Sequence, residues 1–554
     1  MTWIIIGAAL AGLTITFLIS ALMQKKKAIR YLTKNFGDIP NRIYRESDHE
    51  SIVSYWDIKS AQYKNCEKID SLTWDDLDMQ KTYERINSTQ SSVGDEVLYA
   101  MLHKQNLDAN RLKETERLVH HFESEEASRL KLQYPLFRLG EEPSNGLAAF
   151  LDQPNTKRLK YAFLYPLLCI LSLLSLLTIF FSHTIGLTSF VIVSLINIFF
   201  YYKTKLGLTQ QLTTVRYLFS MLKCAEQICK IDDPALSHYA ETLKNNYRPM
   251  KAITRLSKIF LSNPSSELDF LTEYLKMMFL LDFVFYNLLL TSVSKYTAQC
   301  TAIYETIGYL DAVIAVASYR KSLDCYCTPR FTDRDEIVLK QIAHPLLKNP
   351  VRNTVTIQRM SLITGSNASG KSTFVKSVAI NMILAQTIHT CTAEELSFKP
   401  SFLVSSMAVR DSIETGESYY IAELNSLKRV LDGLNENVRC VCFVDEILKG
   451  TNTIERIAAS SAILQYLSSK NALALVATHD IELTEITQAF CDNFHFRETV
   501  TENGIVFDYQ IHDGYATTKN AIRLLDFMGY PASVTQQADI LARDFETNRI
   551  WKRL

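Results

Sequence analysis

The chain of 554 residues lacks any imbalance of charge: 59 Lys and Arg stand against 59 Asp and Glu, for a formal net charge of zero. This excludes a global electrostatic pull toward nucleic acid, so any such surface must be local. Metal-ligand spacing is lacking too. The 11 cysteines are odd in number and scattered; the nearest pairs, Cys325 with Cys327 and Cys440 with Cys442, belong to no zinc-ligand set. They suit a reducing cytosol. Neither an internal repeat nor a low-complexity tract is present, which excludes a repeat array. What is abundant is apolar residues, 47% of the chain. At this length that supports two or three packed domains with membrane helices besides.

The most specific signal is Gly365-Ser366-Asn367-Ala368-Ser369-Gly370-Lys371-Ser372-Thr373, which follows an apolar run and fits the G-x-x-x-x-G-K-[ST] phosphate loop. Gly365 and Gly370 permit the tight turn that lets backbone N–H groups surround phosphate oxygens, and the helix beginning near Lys371 adds its positive end. Lys371 is expected to reach the β and γ phosphates of ATP, and the Ser372 hydroxyl to ligate Mg²⁺. Further on, the strand-like run Arg439 to Val444 ends in Asp445 and Glu446, the first expected to hold Mg²⁺ and the second to polarise the attacking water. A second such run, Ala472 to Thr478, delivers His479 to the same edge, where a neutral imidazole can sense the γ phosphate or orient the water.

Around these residues the chain resembles the MutS-type ATPases of DNA mismatch repair. Asn367 stands at the third position of the loop, as in MutS proteins, and is counted with Glu446 and His479 among the catalytic candidates. Asp445-Glu446-Ile447-Leu448-Lys449-Gly450-Thr451 resembles the family's D-E-x-x-x-G-T signature. Gly416-Glu417-Ser418 to Glu423 resembles its G-x-S-x-x-x-x-E segment, where an ABC transporter would carry L-S-G-G-Q. His344-Pro345 resembles the opening of the ATPase domain, Ile307 to Ala312 the end of the helical core, and Asn520 to Leu525 with Gly529-Tyr530-Pro531 the closing helices. The resemblance implies a homodimer in which Ser418 reaches the nucleotide of the partner subunit. It also implies ATP hydrolysis coupled to binding of mismatched or branched DNA. The chain is expected to depart from the mismatch-detecting members, since no N-terminal reading domain is evident in it. Its one Phe-x-Glu triplet, Phe496-Arg497-Glu498, falls inside the expected ATPase domain and is read as strand rather than as a DNA wedge.

Three apolar segments are expected to cross a membrane. Trp3 to Met23 carries no charge and is followed by Lys25, Lys26, Lys27 and Arg30, the reverse polarity of a cleaved signal. Tyr161 to Phe181 and Ile185 to Tyr202 form an expected hairpin, with Lys157, Arg158 and Lys160 before it and Lys203 and Lys205 after it. The positive-inside rule places both flanks in the cytoplasm. A fourth apolar stretch, Met277 to Val293, contains Asp282 and Asn287; an ionisable group at mid-bilayer costs a few kcal/mol, so this stretch is assigned to the soluble helical core.

The resulting expectation is an α/β P-loop NTPase domain with a mainly parallel sheet, following an all-helical core or lever region, with three transmembrane helices. The boundaries are an anchor at 1–23, a cytosolic helical region at 24–160, the hairpin at 161–203, a helical lever at 204–330 and the ATPase domain with dimerisation helices at 331–554. The expected activity is that of a multi-pass cell-membrane ATPase, its catalytic domain cytoplasmic, acting on DNA. The alternative is an ATP-driven switch on the membrane that acts on an unidentified protein partner.

Overall fold

A computed structural model describes residues 2–142, 145–153, 159, 161–205, 208–252, 254, 274–366, 368–407, 419–501, 504–516, 521–548 and 550–553. The chain forms two compact units. One gathers Met1–Gln62, Ile86–Met101 and Arg117–Ser322; the other gathers Tyr63–Arg85, Leu102–Glu116 and Leu323–Leu554.

The first unit is helical. Its longest buried element, Thr297–Lys321, packs small residues against the helix that begins at Ser92. A Cβ on Gly308 would lie 2.4 Å from Val97 Cγ2 and 2.7 Å from the Val93 carbonyl, and one on Gly94 would lie 2.3 Å from Asp311 Oδ2. Only glycine at both positions allows this crossing, since ordinary contacts begin near 3.5 Å. The acidic residues there are buried but bonded. Asp311 accepts from the Gln90 backbone N–H at 3.1 Å and the Ser91 hydroxyl at 2.6 Å. Asp95 takes both arms of the Arg42 guanidinium at 2.7 and 2.6 Å. Glu96 accepts from the Tyr304 hydroxyl and the Asn145 amide. Burial pushes the Asp311 and Glu96 carboxyls up to about 7, against the lowering effect of these hydrogen bonds.

The apolar segments differ from the three expected spans. Among the described residues only His183–Lys205 and Thr297–Lys321 are both long and apolar enough to cross a membrane, and the second is largely buried in the helical body. Its apolar length serves packing rather than lipid. The first arm of the expected hairpin is the helix Leu164–Thr178, 15 residues and short of a full span. Trp3 to Met23 lies within the helix Thr2–Asn35, but most of its side chains lie outside the described residues. The hairpin itself is built inside out. Phe180, Phe181, Ile185, Leu195 and Phe199 are more than half exposed, whereas Ser172 and Asn197 are completely buried.

In the second unit, six strands form the sheet that positions the site: β1 Met360–Thr364, β2 Phe402–Ser406, β3 Cys440–Asp445, β4 Ala472–Ala477, β5 Cys491–Thr501 and β6 Gly504–Asp513. Their order is β6-β5-β1-β4-β3-β2, parallel throughout except for the β5–β6 hairpin. β1 and β2 are buried along their whole length, as a strand covered on both faces must be. Cys440 and Cys442 sit fully buried in β3 as small core groups. A second sheet orders Arg330–Phe331, Glu395–Phe398, Ile337–Ile342 and Asn353–Ile357.

Two segments from the N-terminal third complete this unit. Asp76 accepts from the Ser405 hydroxyl at 2.7 Å and the Met407 backbone N–H at 2.9 Å, capping the end of β2. Lys376 pairs with Asp78 at 2.9 Å, and Gln105 receives the Leu403 backbone N–H at 3.0 Å. Backbone N–H groups on the open edge of β2 are thus satisfied by residues from outside 331–554.

Candidate functional site

The parallel order β1-β4-β3 brings the C-terminal ends of these strands side by side, the edge where open parallel sheets bind ligands. β1 runs into the phosphate loop, β3 into Asp445 and Glu446, and β4 into Thr478 and His479. The loop is curled by three left-handed residues, Gly365 at φ 145°, Ala368 at 66° and Gly370 at 106°. A Cβ on Gly365 would lie 2.8 Å from the Phe496 carbonyl, so the curl fits only without a side chain. Helix Lys371–Ile388 starts directly at the loop and aims its N-terminal N–H groups into it.

The Lys371 ammonium is folded into the loop, donating to the Gly365 and Ser366 carbonyls at 2.8 Å each. Burial pulls it down to about 8, against the opposing pull of Asp445, Glu446 and Glu498. His479 Nε2 stands 3.3 Å from Lys371 Nζ and 3.1 Å from Glu446 Oε1. These contacts are alternatives, because one ring nitrogen either donates to the carboxylate or accepts from the ammonium. Burial alone would raise Glu446, yet the bond to His479 and the Lys449 ammonium at 3.4 Å hold it below its ordinary value. It is therefore ionised and able to accept a proton from water.

These groups line a cavity of about 550 Å³ that also takes in Ser372, Thr373, Asp445, His344, Leu347, Val351, Phe496 and Tyr509. The lining fits a nucleoside triphosphate with its cation. The Ser366 and Ser369 hydroxyl oxygens are buried without a hydrogen-bond partner among the described residues. Among the described residues no cluster of three His, Cys, Asp or Glu exists to hold a metal by itself. A Mg²⁺ held by Ser372 and Asp445 with phosphate oxygens completing its shell matches that donor set. Burial and the nearby Lys376 drive His344 down to about 4, so its ring is neutral at physiological pH. Asn367 and Ser418 lie outside the described residues.

Several further residues support the site. Glu423 is buried and accepts from the Lys449 and Gly450 backbone N–H groups at 2.8 and 3.3 Å, fixing the turn after Glu446. That turn is strained, with Glu446 at φ 62° and Leu448 at 60°. Arg456 grips Asp480 at 2.9 and 2.6 Å and so steadies the residue after His479. Asn353 donates to the Tyr509 carbonyl at 3.1 Å and accepts from the Ile511 N–H at 2.8 Å, bracing the irregularity in β6 where Tyr509 adopts φ 53°. Glu423 alone was legible, as the last residue of the segment beginning at Gly416. The Phe496-Arg497-Glu498 triplet lies in β5, with Phe496 buried against Phe374.

A phosphate loop on the central strand, an Asp-Glu pair on the next strand but one and a His between them define a P-loop ATPase domain. Which kind is answered by residues 361–546, which match the family model for MutS domain V. The chain is 28% identical over 284 residues to MutS protein homolog 4 of Homo sapiens, covering 48% of this chain and 30% of that protein. It is 29% identical over 269 residues to the DNA mismatch repair protein MutS of Natronomonas pharaonis, covering 46% and 31%. To that of Thermotoga maritima it is 29% identical over 268 residues, covering 46% and 33%. Residues 361–546 thus carry the likeness to MutS domain V, and the chain spans about a third of the length of the curated relatives it matches.

Proposed function

We propose that this chain is a membrane-anchored, Mg²⁺-dependent ATPase that works as a homodimer and couples its nucleotide cycle to binding of mismatched or branched DNA. The single observation that carries the enzymatic part is that His479 stands within hydrogen-bond reach of both Lys371 and Glu446 beside the phosphate loop. Lys371 would leave the loop carbonyls for the β and γ phosphates. Ser372 and Asp445 would hold Mg²⁺, which would supply charge neutralisation of the phosphates. Glu446, ionised, takes the proton of the attacking water, and His479 holds that carboxylate in place.

The DNA and dimer parts rest on the likeness to relatives whose names record mismatch repair. The anchoring part rests on the hairpin, with apolar side chains outside and polar ones inside, and on Lys203 and Lys205 at its end. The ATPase would then lie on the cytoplasmic side.

The test is ATP hydrolysis by the full chain in lipid vesicles, with and without duplex and branched DNA across a salt series. Turnover that needs Mg²⁺ and Lys371, and DNA binding that weakens as salt rises, are expected. DNA-independent turnover with no binding at low salt would replace DNA by a protein partner; absence of turnover would remove the enzymatic reading.

A further inference from the structure

We propose that residues 274–290 form an additional membrane-embedded segment, pinned along the hairpin Leu164–Thr178 and His183–Lys205, rather than part of the water-exposed helical body. The proposal rests on the reading that this hairpin sits in a bilayer. Of the residues that speak against lipid in the sequence, Lys276 is itself buried, and Asp282 and Asn287 are both answered by the hairpin. Asp282 accepts from the Tyr201 hydroxyl at 3.2 Å, and the Lys205 ammonium donates to the same hydroxyl at 3.0 Å. Asn287 reaches the Ala162 carbonyl at 3.4 Å, at the start of the first arm. Asp282 and Tyr201 are buried, so no carboxylate faces the lipid. Ionisable groups inside a membrane are tolerated in this way, turned inward and paired.

The backbone points the same way. Helical residues 274–279 are separated from the helix Leu281–Lys295 by Leu280 in the left-handed region, φ 51°. Beside this break the Met278 carbonyl is taken by the Asn197 amide at 2.7 Å and by the Ser172 hydroxyl at 3.3 Å. Asn197 also donates to Ser172 at 2.8 Å, and both side chains are fully buried. An interrupted helix at membrane depth requires its freed carbonyls to be satisfied by protein. Asn197 precedes Lys205 by two helical turns, roughly 12 Å at about 1.5 Å per residue, which puts the break below the interface. Aromatic contacts continue the seam on both sides, Phe283 with Tyr165 and Tyr201 toward the flank and Phe279 with Phe190 toward the tip. Meanwhile Tyr274, Leu275 and Leu288 are 57%, 44% and 55% exposed, so the outer face offered to the surroundings is apolar but for the Tyr274 hydroxyl at its end.

The test is photolabelling of the full chain in phosphatidylcholine–phosphatidylglycerol vesicles with a phospholipid carrying a diazirine on its acyl chain, followed by peptide mapping. Labelling of 274–290 is expected to match that of His183–Lys205 and to exceed that of the helix Thr209–Ile228 by on the order of tenfold, as apolar partitioning dictates. Label on His183–Lys205 without label on 274–290 would overturn the proposal and leave the anchoring reading standing. Label on neither would remove both. In the variant Asn197→Leu, labelling of 274–290 should fall while that of His183–Lys205 stays; unchanged labelling would refute the pinning.

Discussion

Replacing Gly94 by Ala sets two physical effects against each other. The residue lies inside the helix Ser92–His103, where alanine is the better helix former by about 1 kcal/mol. The same methyl would stand 2.3 Å from Asp311 Oδ2 and 2.7 Å from its Cγ, well inside any allowed contact. Asp311 must then move away from the Gln90 N–H and the Ser91 hydroxyl that hold it. Hydrogen bonds to a charged group contribute about 1.5–3 kcal/mol each, so losing two and gaining the helix preference leaves a net loss of about 2–5 kcal/mol. Hydrogen exchange of the amides between Ser92 and Met101 in the full chain reads this directly. If opening is at equilibrium, exchange should accelerate by on the order of 30-fold to over 1,000-fold at about 1.4 kcal/mol per decade. Slower exchange in Gly94→Ala than in the parent would mean that intrinsic preference outweighs packing here, and the reciprocal-glycine account of this crossing would be wrong.

Other outcomes follow from the site and the buried acids. Lys371→Ala should abolish tight nucleotide binding, measured by titration with a fluorescent ATP analogue, because the loop loses its only buried cation among the described residues. Glu446→Gln should keep ATP bound while slowing turnover by about 10²-fold or more; normal turnover would mean another group activates the water. Glu423→Ala, which frees the Lys449 and Gly450 N–H groups, should lower kcat with little change in nucleotide affinity, since it acts on the turn that carries Glu446. Asp311 and Glu96 have folded-state values near 7, above their unfolded values, so their contribution is fully present below about pH 4 and is lost as pH rises through 7. Amide protection in the helix Thr297–Lys321 should therefore weaken between pH 5 and pH 8, at a slope of at most about 1.4 kcal/mol per pH step of one for each carboxyl, and rising protection would contradict it.

The candidate site was legible in the sequence because its groups sit at fixed distances from strand ends, and spacing survives in one dimension. Lys371, Asp445, Glu446 and His479 are marked in this way, and the fold brings them into one cavity. Tyr509 and Asn353 are not, because an irregular step in β6 turns Tyr509 inward and no alternation pattern encodes such a step. Segments Tyr63–Arg85 and Leu102–Glu116 look in sequence like part of a separate helical region, since amphipathic periodicity shows that a face is buried but not against what. The same blindness affects Met277 to Val293. Its polar residues count against lipid one by one, and only a fold reveals that Tyr201 and Ala162 answer them.

The two arms of the hairpin are unequal, 15 residues against 23, or about 22 and 34 Å of helix. Placed in a bilayer with a hydrocarbon core of about 30 Å, the short arm forces either a local pinch in the lipid or a lean of the pair, each costing fractions of a kcal/mol per Å. On the anchoring proposed above, acyl-chain length would become a variable of this protein's environment: thin membranes would relieve the strain of the short arm, and thick ones exact more of it.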